Sequence, residues 1–104
     1  MDNFTIIYKI LKALEKALDF DELDKEALSP EALGITPQRW VGLLEMLFND
    51  GYIDGLTIIQ NIGGRSLRID RLRITLKGLE YLSDNSLMAK AARLAKGIKD
   101  VLPI

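Results

Sequence analysis

Two helix-start signals stand seven residues apart in this chain, and that spacing constrains the fold more than any other feature. In LSPEALGITPQRW, Ser29-Pro30 and Thr36-Pro37 each place a hydroxyl side chain before a proline. A serine or threonine accepts from the free amides of a helix's first turn, and a proline at the first helical position gives up an N–H that would be unpaired anyway. Gly34 supplies the stop between them. The segment therefore predicts a short helix ending at Leu33, a tight turn, and a second helix from Pro37, which together form a helix-turn-helix. Trp40, Leu43, Leu44, Leu47 and Phe48 recur at helical spacing along that second helix, and Asn49-Asp50-Gly51 ends it.

The flanking sequence completes the architecture. Residues 3–18, opened by Asp2 or Asn3 as cap, form an amphipathic helix with Ile7, Ile10, Leu11, Leu14 and Leu18 on one face. The acidic stretch from Asp19 to Glu26 reads as a solvated connection with room for one helical turn. After the helix-turn-helix, Tyr52 to Gln60 is rich in β-branched and aromatic residues and predicts a strand. Asn61-Ile62-Gly63-Gly64 is turn chemistry, and Leu67 and Ile69 alternate with Arg68 and Asp70 in a returning strand. The alternation slips by one near Arg71, because Leu72 and Ile74 fall on the other phase, as a β-bulge would produce. Thr75 caps a further helix through LKGLEYL, and Ser86 opens a last one reaching about Val101. The expected class is α+β, mainly α: a winged helix-turn-helix with a two-stranded β wing and additional C-terminal helices. Residues 1–104 form one domain, with 1–85 as its core and 86–104 as a C-terminal helix that packs on the core or builds a dimer.

Composition narrows the chemistry. The 104 residues contain no cysteine and no histidine. Disulfides, thiolate metal sites, His-ligated zinc and Ser-His or Cys-His catalysis are thereby excluded. Carboxylates alone remain, and no pair is marked by spacing as acid and base, so the expectation is no enzyme, no metal and no cofactor. The acidic run DFDELDKE fails the EF-hand pattern, because Leu23 and Lys25 hold ligand positions and Asp24 stands where glycine makes the turn. Gly63-Gly64 joins two strands and lacks the lysine of a phosphate loop. The start resembles no signal peptide, and no apolar run approaches the ~20 residues that span a bilayer. A cytoplasmic protein with no membrane partner is expected.

The net charge is −1, but it is unevenly divided. Residues 1–55 hold five basic and eleven acidic residues, and residues 56–104 hold nine basic and four acidic ones. Such polarity creates a basic face despite a neutral sum. In a DNA-binding winged helix, the second helix of the helix-turn-helix lies in the major groove. With the apolar residues inward, Gln38, Gly42, Glu45 and Asn49 point outward, flanked by Arg39 and Met46. Gln and Asn suit adenine, Arg suits guanine or phosphate, and Gly42 permits close approach. Glu45 and Asp50 oppose this, and an ordinary polar helix face is the other reading. Arg65, Arg68, Arg71 and Arg73 gather at the wing, followed by Lys77. They suit phosphates or a narrow minor groove; alternatively they are solvated strand residues neutralised by Asp70 or the acidic half. In the last helix Leu87, Ala91, Leu94, Ile98 and Leu102 share one face, and Lys90, Arg93, Lys96 and Lys99 the other. Double-stranded DNA, a homodimer through the C-terminal helix, or a protein partner held by the wing or that helix are the expected partners.

Three stretches carry a family likeness. MDNFTIIYKILKALEKALD, LGITPQRWVGLLEML with NDGYIDG, and RITLKGLEYLSDNSLMAKAARLAKGIK together resemble the YjcQ family. The run ITLKGLEYL into NSLM is its most specific part. The resemblance implies a small bacterial or prophage-encoded protein of the winged-helix superfamily. It brings no catalytic residue and no ligand, so the site residues above rest on geometry alone.

Overall fold

Each helix begins where a side chain can accept from its first turn. A computed structural model describes residues 2–85; the expected C-terminal helix over 86–104 lies outside the described residues. Helix α1 (Asn3–Ala17) is capped by Asp2, whose Oδ1 accepts the Thr5 amide at 2.7 Å. Ile6, Ile10, Leu11 and Leu14 form its buried face, with Ile7 half-buried. Leu18, expected on that face, is instead the C-cap and is 59% exposed. The helix has ended there, so Ile6 takes up the apolar stripe one turn earlier.

The acidic connection ends in a 3-10 turn (Glu26–Leu28) that buries Leu28. Helix α2 (Pro30–Leu33) starts on Ser29, whose Oγ accepts from Ala32, and stops at Gly34, which adopts φ +71°. Helix α3 (Pro37–Asn49) starts on Thr36, whose Oγ1 accepts from Arg39. Leu43, Leu44 and Leu47 are buried, and Trp40 and Phe48 pack beside them half-buried. The Trp40 Nε1–H donates to the Leu28 carbonyl at 2.7 Å, fastening α3 to the turn before α2. The end of α3 is a Schellman cap: Tyr52 N–H donates to Leu47 O and Gly51 N–H to Phe48 O.

The expected pair of long strands is broken into two small antiparallel sheets. Strand β1 (Ile53–Asp54) pairs with β4 (Arg73–Ile74), while β2 (Thr57–Asn61) pairs with β3 (Gly64–Arg68) across an Ile62-Gly63 turn. The slip in alternation near Arg71 is therefore a turn, closed by Leu72 N–H on Ile69 O at 3.1 Å, and not a bulge. The cause is burial. Leu56 on one side and Ile69 and Leu72 on the other turn into the core, and the ladder cannot continue through them. Gly55, at φ +82°, crosses the Arg71 carbonyl so closely that a Cβ there would lie 1.9 Å from its oxygen.

Residues 76–85 form helix α4. Thr75 Oγ1 accepts from Gly78 N–H and its hydroxyl donates to Gly51 O at 2.6 Å, so one residue starts α4 and ties it to the end of α3. Tyr81 stands edge-on to Tyr52 with ring centroids 5.7 Å apart. The result is a mixed α+β fold, mainly helical. Its core is aliphatic, drawn from α1, Leu28 of the 3-10 turn, Leu33 of α2, α3, the β1–β4 pair, the connection residues Leu56, Ile69 and Leu72, and Leu82 of α4, and no polar side chain is buried among the described residues.

Candidate nucleic-acid interface

The outward face of α3 and the β2–β3 hairpin are joined by one ion pair. Arg65 of β3 donates through Nη2 to Glu45 Oε1 on α3. Residues two apart in a strand share a face, so Arg65 and the half-buried Leu67 look toward α3. Arg68 and Ser66 look the other way. Both faces of the hairpin are otherwise open: only Ile59 and Leu67 are half-buried, and Ile62 at its tip is fully exposed.

The nine expected contact residues are spread over this surface and beyond it. Gln38 and Asn49 are exposed at the two ends of α3. Arg39 is exposed, and its Nε–H donates to Asn3 Oδ1 at 2.8 Å, joining the first turns of α3 and α1. Gly42 faces open space, with nothing within 4 Å of where a Cβ would be. Arg73 belongs to the other sheet, where its Nη2 meets Asp54 Oδ2 at 3.1 Å across the ladder. That guanidinium holds the Asp54 carboxyl below its ordinary value. Lys77 donates to the Asp50 carbonyl at 2.8 Å and lies 4.7 Å from the Tyr52 ring centre, which completes the end of α3.

Two of the expected contact residues differ from the other cations among the nine. Arg68 and Arg71 are exposed and make no hydrogen bond or ion pair among the described residues. They stand near Asp70, whose carboxyl is held below its usual value first by Lys25 (Nζ–Oδ1 2.9 Å) and then by these two arginines. The four arginines expected as one patch thus lie on both faces of the hairpin, in the turn behind it and in a separate sheet. Sequence reasoning named Asp70 and the acidic half as neutralising the arginines: Asp70 stands near Arg68 and Arg71, but which acids of that half pair with which arginines was not read. Arg65–Glu45 and Arg73–Asp54 bridge 20 and 19 residues, and no local pattern reports such pairs. The exposed Met46, Ile58 and Ile62 were missed as a group.

Among the described residues no group of acidic side chains is arranged to hold a metal ion, and no helix is long and apolar enough to cross a membrane. In the acidic connection Asp24 caps a turn, accepting from Ala27 N–H.

These features define a small, mainly helical α+β domain whose exposed hairpin is latched to a helix face. The chain belongs to the YjcQ family: the family model described as YjcQ protein matches residues 8–101, nearly its whole length. No curated protein and no solved structure matches the chain.

Proposed function

We propose that this protein is a winged-helix DNA-binding regulator, non-catalytic and of prophage setting, in which α3 meets the major groove and the β2–β3 hairpin acts as the wing. The observation that carries the reading is the hairpin. It adds little to the core, since most of its side chains are exposed on both faces, yet Arg65–Glu45 fixes it against α3. A ribbon held in place without being buried is suited to contact something outside the molecule. Arg68 and Arg71 bring positive charge that is tied up in no hydrogen bond or ion pair among the described residues and is only partly offset by the nearby Asp70. Arg65 is available as well: its side chain is 40% exposed, and a phosphate can replace Glu45 as the acceptor of its guanidinium. The prophage setting follows from the family resemblance. The non-catalytic reading is supported by the lack of histidine and cysteine.

The test is fluorescence anisotropy of a labelled mixed-sequence duplex, titrated at low and near-physiological salt. The expected result is binding near the micromolar range that weakens steeply with salt. Arg68→Ala with Arg71→Ala should lower affinity at every sequence and flatten the salt slope by about two units. Folded protein that binds no duplex at low salt overturns the proposal. The exposed apolar residues Ile62, Ile58 and Met46 then favour a second reading, a protein partner seated on the wing.

A further inference from the structure

The tip of the hairpin carries a side chain that neither the turn nor the core calls for. Asn61 and Gly64 close the β2–β3 ladder, with Ile62-Gly63 as the turn between them. Turns favour Gly, Asn, Asp, Ser and Pro, whereas isoleucine is a β-branched strand former. Ile62 is fully exposed and lies outside the core. Gly63 and Gly64 follow it, and Gly64 takes φ +123°, a conformation that glycine tolerates. The returning half of the apex is thus bare backbone, and one apolar side chain stands clear of it.

We propose that Ile62 is a wedge that enters a base step of duplex DNA from the minor groove, partly unstacks it and kinks the duplex. The inference rests on the DNA-binding reading above and names what the hairpin recognises: a deformable pyrimidine–purine step, T–A above all. An apolar side chain pushed between two base pairs replaces part of their stacking contact, and proteins that work from the minor groove use isoleucine among others for this. T–A and C–A steps give way most easily.

The dimensions and charge of the ribbon suit this role. The minor groove is ~7.5 Å deep. Arg65 pairs with Gln60 one rung below the Asn61–Gly64 rung, which puts its backbone roughly 7 Å behind the apex at ~3.4 Å per residue. With Ile62 at the groove floor, Arg65 is therefore level with the phosphates, where its guanidinium exchanges Glu45 for phosphate. Residues 57–68 contain no acid to repel them. Two strands ~4.8 Å apart, with their side chains, overfill a groove ~6 Å wide, so entry demands a step that opens. That steric requirement selects deformable sequence without any hydrogen bond to a base.

The test separates binding from unstacking. A short alternating T·A duplex with 2-aminopurine at its central steps is titrated with the full chain at low salt. Anisotropy of an end label reports binding, and 2-aminopurine, which brightens on leaving the stack, reports the wedge. At saturation the probe should be several-fold brighter with the unsubstituted protein and with Ile62→Met, and dark with Ile62→Ala. Ile62 lies outside the core, so both variants keep the fold, as far-UV circular dichroism checks. A duplex whose central step is already loosened by a mismatch should bind the unsubstituted protein about tenfold more tightly than the matched one. Ile62→Ala should bind the two alike. No binding to any duplex overturns the function proposed above and this inference with it. Saturated binding with a dark probe overturns the wedge alone, in favour of Ile62 as a protein contact. Brightening that survives Ile62→Ala overturns it by placing the unstacking elsewhere.

Discussion

Three glycine-to-alanine substitutions separate the two costs that the chain crossing at Gly55 imposes. At Gly42, inside α3, a Cβ meets open space, and alanine should stabilise by about 0.5–1 kcal/mol through helix propensity. At Gly34, φ is +71° with nothing within 4 Å, so alanine meets only the left-handed penalty of about 1 kcal/mol. At Gly55, φ is +82° and the new carbon would lie 1.9 Å from Arg71 O and 2.7 Å from its carbonyl carbon. Both atoms are backbone and cannot rotate aside, so relief requires the β1–β2 and β3–β4 connections to separate. Overpacking of this kind costs about 1–3 kcal/mol, which brings Gly55→Ala to about 3 kcal/mol. Domains of this size have about 5–15 kcal/mol in all. Urea unfolding followed by Trp40 fluorescence, with a slope of about 1–1.5 kcal/mol per molar, should show the Gly55→Ala midpoint lower by about 2–3 M. Gly34→Ala should fall by about 1 M and Gly42→Ala should rise. A Gly55→Ala midpoint equal to that of Gly34→Ala would refute the tight crossing as the cause.

Other outcomes follow from the hydrogen bonds and charges. Trp40→Phe leaves the Leu28 carbonyl without its indole donor and should cost about 1–3 kcal/mol in urea unfolding followed by far-UV circular dichroism. Glu45→Gln frees Arg65, and should raise duplex affinity while steepening its salt dependence; an unchanged titration would remove Arg65 from the contact surface. Asp2, Asp54 and Asp70 are all held below the ordinary 3.8, by the Thr5 amide, Arg73 and Lys25 respectively. Their carboxylates bind protons more weakly folded than unfolded, so the stability they add is complete above about pH 4 and fades as pH falls through their lowered values. The urea midpoint should be level between about pH 5 and 7, where no histidine titrates, and fall in acid. Asp54→Asn should make that fall shallower.

Much of the helical frame was legible in the sequence because its signals are local. Ser29-Pro30, Gly34, Thr36-Pro37 and Asn49-Asp50-Gly51 mark α2 and α3 to within a residue, and Thr75 marks the start of α4. The hairpin was legible as an element but not in its extent. Leu56, Ile69 and Leu72 look like strand residues out of phase, and only the core they enter explains why pairing stops. Leu18 misled because spacing continues a helix face past the residue where the helix stops. The candidate surface was the least legible part. Chemistry named the right residue types, but whether an arginine is paired depends on acids far along the chain: Glu45 meets Arg65 and Asp54 meets Arg73, while Arg68 and Arg71 form no ion pair among the described residues.

The contact between Gly55 and Arg71 also has a bearing on how the hairpin can vary. It pinches the chain into a neck: below it the β1–β4 pair belongs to the core, and above it residues 57–68 form an appendage with its own two-residue tip. Ribbons of other lengths or other tip chemistry can be grafted above the neck while the core stays as it is. Ribbon and core are thereby drawn from separate stretches of sequence, and a lineage can exchange the first without renegotiating the second.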